Sequence, residues 1–203
     1  MIKSRLDNTE VEIILNPSTK YAFMLSGGLD SAVLLYLLMK NNTEFNIQPF
    51  AIKKYDGSHK CLSEILNYLE CSTSRLIKDP IFVGDPAEHH DRQSKVAINE
   101  INNNYPEYEY IIFGTNSNPP ESVVLPGLYP RRTRNHNPKI ITPFRHLYKT
   151  HIVDFVFEYG LHYIMDITHS CTEQEDGRCE KCFQCNERAW AFAELNQIDT
   201  GKK

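Results

Sequence analysis

The stretch YAFMLSGGLDSAVLLYLLMK, residues 21–40, decides how the chain is read. Its first five residues, Tyr21–Leu25, form a short apolar strand candidate. From Asp30 to Lys40, Val33, Leu34, Leu37 and Leu38 fall on one helical face. Ser26-Gly27-Gly28 lies between the two. Glycine accepts positive φ and puts no side chain in the way, so this turn can present several backbone N–H groups to an anion. The helix that follows adds unpaired N–H groups and the positive end of its dipole. Ser26 and Ser31 add hydroxyl donors. Asp30 does not suit an anion, but it suits a Mg²⁺ that bridges phosphate oxygens. The stretch is neither G-x-x-x-x-G-K-[ST] nor G-x-G-x-x-G. A tight turn before an acidic helix start accounts for the same residues without a ligand, and composition does not separate the two readings.

Outward from this point, strands and helices alternate. Ile47–Lys53 reads as a second strand, weakened at its start by Pro49. His59–Leu69 spaces Leu62, Ile65, Leu66 and Leu69 as a helix does. Arg75–Val83 reads as a third strand interrupted by Asp79-Pro80, and Glu88–Asn104 as a polar helix carrying Val96, Ala97 and Ile101. Tyr108–Phe113 is a β-rich run that ends in Gly114. Ser117–Asn137 is irregular and rich in proline, and a loop of this length inside a domain points to function. Thr150–Tyr159 is helical, with Gly160 as its C-terminal cap. The expected fold is therefore α/β, a three-layer doubly wound parallel sheet. Ligands of such sheets lie beyond the carboxyl ends of the strands, where both the glycine turn and Gly114-Thr115-Asn116 fall.

The 203 residues suit one domain or one domain with an appendage. A net charge of −4 gives no general basic field for nucleic acid. Arg131, Arg132 and Arg134, with His136, form a local basic stretch. It could clamp a carboxylate, a phosphate or a nucleic-acid backbone, or simply be a solvated loop face. The opening residues MIKSRLDNTEVEII carry no apolar leader and the longest apolar run, Ala32–Met39, is short of a membrane span. A cytoplasmic chain with no membrane association is expected.

Cys171, Cys179, Cys182 and Cys185 are spaced C-x7-C-x2-C-x2-C. Four thiolates satisfy a tetrahedral structural Zn²⁺ with no open position. A [4Fe–4S] cluster accepts the same four, so zinc is the expectation and the cluster stays open. Arg178, Lys181 and Arg188 stand near enough to offset the thiolate charge. Cys61 and Cys71 read as packing residues. His169, beside Ser170-Cys171, either contacts a substrate or packs near the metal.

The hexapeptide SGGLDS, set between a strand and an apolar helix, resembles the pyrophosphate loop of the N-type ATP pyrophosphatases. These include asparagine, NAD and GMP synthetases, tRNA thiolases and 7-cyano-7-deazaguanine synthases. The resemblance implies that Ser26, Gly27, Gly28, Leu29 and Ser31 hold the pyrophosphate of ATP, with Gly114 beside it, and that Asp30 holds Mg²⁺. Two further segments resemble the 7-cyano-7-deazaguanine synthases in particular. One is the serine-cysteine followed by C-x2-C-x2-C and Arg188. The other is ITPFRHLYKTHIVDFVFEYGL, residues 141–161, with Thr142, Pro143, Lys149, Ile152 and Gly160 at matching positions. The resemblance implies an ATP domain over residues 1–165 with Asp30 and Lys149 as its catalytic groups, Lys149 near the phosphates. A zinc-binding segment with its helix follows over 166–203. It implies that ATP and ammonia convert 7-carboxy-7-deazaguanine to the amide and then the nitrile, in a homodimer. The chain departs from the family after YIIF. An Asp-x-Ser-Gly-Tyr-Pro-Asp-Cys stretch normally helps hold the deazaguanine there, whereas this chain reads GTNSNPPESVVLPGLYPRRTRN. Only a displaced echo, Gly127-Leu128-Tyr129-Pro130-Arg131, remains. Tyr129, Arg131, Arg132 and Arg134 are therefore the candidate acceptor residues. Adenylation of another carboxylate, nucleobase or tRNA base stays open, as does a non-catalytic nucleotide-binding module.

Overall fold

The computed structural model describes residues 1–88, 90–129 and 137–201, with only the backbone of residues 90 and 91. A short antiparallel pair, β1 (Ile2–Lys3) and β2 (Glu10–Val11), opens the chain. The chain then builds a parallel five-stranded sheet from β3 (Lys20–Met24), β4 (Asn46–Ala51), β5 (Ile81–Phe82), β6 (Tyr110–Phe113) and β7 (Ile140–Ile141). Helices α1 (Leu29–Asn41), α2 (Leu62–Thr73) and α3 (His90–Asn104) connect its first four strands. Helices α4 (Lys149–Glu158), α5 (His162–Ile167) and α6 (Phe183–Glu194) follow the last strand. The strand order is β5-β4-β3-β6-β7. The winding reverses between β3 and β6, which puts the ligand crevice beyond their carboxyl ends. This is the doubly wound α/β sheet the alternation predicts.

Because successive strand residues face opposite sides, β3 feeds two cores. Tyr21 and Phe23 pack with α1, α2 and α4, whereas Ala22 and Met24 pack with Ala97 and Ile101 of α3. Helices therefore cover both faces, and the layers are three. The spacing predicts one apolar face for α1, but the fold buries Leu35, Tyr36 and Met39 as well. A helix packed by α2, α4 and α5 around the sheet has little solvent side left, and its near-continuous apolar run matches that position. Ala191 and Phe192 of α6 enter the same core as Val156 of α4, so the cysteine-bearing segment shares the main core.

Three elements depart from expectation. Pro49 lies inside β4, a strand with neighbours on both sides. Val83 N–H donates to the Ala51 carbonyl, so Ala51, and Pro49 two residues earlier, face β5. β5 pairs only with Phe50 and Ala51, so no ladder bond is demanded where proline lacks its N–H. The third strand shrinks from Arg75–Val83 to Ile81–Phe82, after Asp79-Pro80, and the Gln48 side chain binds the Asp79 carbonyl at 2.7 Å instead. The helix expected from His59 starts as a 3₁₀ turn, Ser58–Cys61, before α2. β7 and α5, each too short to give a periodic signal, are additions. Cys61 packs against the core as expected; Cys71 is exposed and does not.

Candidate functional site

The glycine turn sits at the switch point. Met24 pairs with Phe113, so β3 and β6 end side by side. Gly27 has φ +80°, and a Cβ there would stand 2.0 Å from the Ser58 carbonyl oxygen. Gly114 allows an equally close approach, since its Cβ would stand 2.9 Å from the Ser31 backbone N. Both positions require glycine for contact, and Gly27 requires it for conformation too. Gly28 is the N-cap of α1 and no side chain caps the helix there. The hydroxyls are pre-set, with Ser26 Oγ and Ser31 Oγ 3.0 Å apart, and Ser31 Oγ donates to the Gly28 carbonyl at 3.0 Å. The Ser26 N–H in turn donates to Ser31 Oγ at 3.2 Å. The first-turn N–H groups of α1 are thus left for an anion, and the helix dipole favours one.

Lys149, the first residue of α4, reaches this turn from a distant part of the chain. Its Nζ donates to both Asp30 oxygens at 2.5 Å, while Glu187 Oε2 stands 3.8 Å away. Lys149 is buried, Glu187 is more so, and Asp30 keeps a quarter of its side chain exposed. The start of α4 is itself held. His151 Nδ1 accepts the Tyr148 N–H at 3.0 Å, and His151 Nε2 lies 3.0 Å from Asp7 Oδ2. The accepting Nδ1 makes Nε2 the protonated nitrogen that donates to Asp7. The Thr9 N–H, with help from His151, holds the Asp7 carboxyl down at about 2 against the opposing effect of burial.

The four cysteine sulfurs lie within 4.8 Å of one another. Backbone N–H groups point at them: Glu173 donates to Cys171 Sγ at 3.4 Å, Cys182 to Cys179 Sγ at 3.2 Å and Cys185 to Cys182 Sγ at 3.4 Å. Burial alone would raise the Cys179 thiol. The Cys182 and Lys181 N–H donors outweigh it and bring Cys179 to about 7. Burial pushes the Cys171 and Cys185 thiols up. Four sulfurs this close, some unwilling to ionise alone, form a donor set that a cation completes. Around one tetrahedral ion with bonds of about 2.3 Å, sulfurs stand roughly 3.8 Å apart, so a small contraction closes the site.

The arginines expected to offset the thiolates have a nearer partner. Fully buried Arg188 makes a bidentate pair with Asp199 at 2.8 and 2.9 Å, and Arg178 meets the same carboxylate at 2.6 Å. Arg188 also donates to the Met165 carbonyl and to Ser170 Oγ. His169 links the two regions: its N–H donates to the Gly27 carbonyl at 3.0 Å and its ring Nε2 lies 3.1 Å from the Gln174 carbonyl. Tyr129 packs against Phe183 with ring centroids 4.4 Å apart and the rings tilted by 50°, and its hydroxyl accepts the Leu125 N–H and donates to the Val123 carbonyl. Arg131, Arg132, Arg134 and His136 lie outside the described residues. Ser26, Gly27, Gly28, Leu29, Asp30, Ser31, Gly114 and Lys149 therefore come together, while Tyr129 joins the cysteine side.

Sequence reasoning missed Glu187, His151 with Asp7, and Asp199. Glu187 had a signal, because it sits on the stripe Phe183–Glu187–Ala191, whose other members are apolar and buried. His151 and Asp7 stand 144 positions apart, and Asp199 lies in irregular chain eleven positions beyond Arg188; neither left a signal. A cleft of about 1090 Å³ has Phe113, Thr115, Asn116, Thr142 and Pro143 in its wall, but none of the glycine-turn residues, Asp30 or Lys149 lines it.

A comparison with curated proteins yields no match. Among solved structures, the FMN adenylyltransferase of Candida glabrata in complex with ATP is 20% identical with a TM-score of 0.43, over 75% of this chain and 48% of that one. The chain thus spans about half the length of that enzyme. The U34-tRNA thiolase NcsA of Methanococcus maripaludis, with its [4Fe–4S] cluster, is 14% identical with a TM-score of 0.47, over 90% of this chain and 67% of that one. Residues 122–196, which hold Lys149 and all four clustered cysteines but not the glycine turn, match the family model of the queuosine biosynthesis protein QueC.

Proposed function

We propose that the chain is an ATP-dependent ligase of the 7-cyano-7-deazaguanine synthase type. The observation that carries this reading is the meeting of Asp30 and Lys149, 119 positions apart, at the uncapped start of α1. The turn N–H groups with Ser26 and Ser31 hold the β,γ-phosphates of ATP. Asp30 would hold a Mg²⁺, which would supply charge neutralisation for the pyrophosphate. Lys149 leaves Asp30 for the phosphates. A carboxylate oxygen of the acceptor displaces pyrophosphate from the α-phosphorus, and ammonia then displaces AMP to give the amide. The amide oxygen then displaces pyrophosphate from the α-phosphorus of a second ATP, and departure of AMP with that oxygen and loss of two protons gives the nitrile. The residues position and neutralise, and no side-chain nucleophile is required.

The cysteines hold one structural Zn²⁺ in this reading. Their crowding supports a single ion, since a [4Fe–4S] cube binds each cysteine through a separate iron and spreads the sulfurs farther. Residues 1–165 form the ATP domain and 166–203 the zinc segment of a cytoplasmic homodimer. No described helix is long and apolar enough to cross a membrane. Incubation with Mg-ATP, ammonium and 7-carboxy-7-deazaguanine, followed by mass spectrometry, yields the amide and nitrile. If both are absent, the acceptor assignment fails.

One observation favours a second reading with another acceptor. Asn116, in the segment that departs from the family, is buried, and its Nδ2 has no hydrogen-bond partner among the described residues. Pyrophosphate release across a panel of carboxylates, nucleobases and tRNA separates the two. Tight ATP binding with no turnover on any acceptor supports a non-catalytic nucleotide-binding module.

A further inference from the structure

Lys149 is held between two carboxylates. Asp30 chelates its ammonium at 2.5 Å from the solvent side, and Glu187 stands 3.8 Å away on the interior side, with 1% of its side chain exposed. Glu187 is thus a second carboxylate, kept in the protein interior within reach of the same lysine. It sits on α6, anchored two residues away at Cys185 and one residue away at the Arg188–Asp199 pair, so it cannot follow the lysine. Asp30, by contrast, lies in the first turn of α1, open to the crevice.

These positions differ in what happens when nucleotide arrives. Once Asp30 turns to Mg²⁺, Lys149 would be a buried ammonium without that partner, and leaving it so is expensive. We propose that Glu187 is a positioning residue, the fixed anchor on which Lys149 pivots from Asp30 to the phosphates. The inference rests on the nucleotide reading above.

The test is a double-mutant cycle read by equilibrium binding of Mg-ATP, with pyrophosphate release measured alongside. Glu187→Gln keeps the shape and removes the charge, so Lys149 stays locked on Asp30 and Mg-ATP binding weakens about tenfold. Glu187→Asp, shorter but charged, restores part of the loss, whereas a packing role would favour the isosteric Gln over Asp. In a Lys149→Met background Glu187→Gln has no further effect on binding. Bound-metal content and circular dichroism are unchanged in the Gln variant. Equal Mg-ATP binding by wild type and Glu187→Gln overturns the inference, as does Glu187→Asp weaker than Gln, or an undiminished loss in the Lys149→Met background. Wild-type protein that binds no Mg-ATP overturns the nucleotide reading itself and the inference with it.

Discussion

The glycine turn and the cysteine knuckle are both organised by backbone N–H groups, yet with opposite results. At the turn the sheet and α1 fix the chain, and the N–H groups of the first helical turn are left for an anion. At the knuckle the N–H groups are spent on sulfur and four thiols crowd together, with the pKa of Cys179 lowered and those of Cys171 and Cys185 raised. The turn takes its shape from the sheet and α1, whereas the knuckle is a set of four sulfurs gathered closely enough for one cation. Contact with a large core makes the first possible. The segment from Thr168 to Cys182 has no helix or strand of its own and is tied to the core through its neighbours, as where Arg188 of α6 donates to Thr168 and Ser170.

Removing the metal breaks the comparison most sharply. Chelation, or Cys182→Ser, is expected to lower the unfolding midpoint by on the order of 10 °C, because metal binding there is folding free energy. An unchanged melting curve with the metal gone would show that the knuckle stands without it. Next, Lys149→Met should lower pyrophosphate release about 10²- to 10³-fold with metal content retained, a loss confined to the turn. Gly27→Ala should cost about 2–4 kcal/mol in chemical denaturation, combining a strained backbone with a clash against Ser58. Gly160 has φ +67° with nothing within 4 Å, so Gly160→Ala isolates the backbone cost at about 1–2 kcal/mol. Equal costs would remove the argument that close approach to Ser58 shapes the turn. The smallest effect concerns Asp7. Its folded pKa of about 2 lies below the ordinary 3.8, so its contribution is complete above about pH 4 and lost as pH falls towards 2. Half-exposed, it is worth well under 1 kcal/mol. Asp7→Asn should therefore narrow the difference in denaturation midpoint between pH 5 and pH 3 only slightly.

What was legible in the chain follows the range of the interactions. β3, the glycine turn, α1 and β6 could be read because alternation and helical spacing are local, and the close approach of Gly114 to Ser31 follows from the sheet order. The cysteine spacing is local too, and it brought the four sulfurs together as read. Pro49 misleads locally, because its tolerance depends on where β5 begins. β7 and α5 are too short for any period to register. At the site, Asp30 could be named from its place at the helix start, whereas Lys149 could be named only through resemblance, since nothing between them in the chain records that they touch. Glu187 was written on the buried stripe of α6 as one acid among apolar neighbours. The Asp7–His151 cap and the Arg188–Asp199 pair left no local trace. Arg178 and Arg188 were read towards the thiolates because proximity in sequence favoured it; Cys185 does act on Arg178, and both arginines also meet the Asp199 carboxylate, which gives Arg188 a bidentate partner.

The hydrogen bond from the His169 N–H to the Gly27 carbonyl has a consequence for the order in which the molecule is made. The turn at residues 26–28 is among the first parts of the sheet to leave the ribosome, but one of its carbonyls waits for a donor that emerges some 140 residues later. Until then the first strand and helix can dock while the loop between them stays unclasped. A chain halted anywhere before the cysteine segment would carry the signature of the site in its sequence without the finished loop.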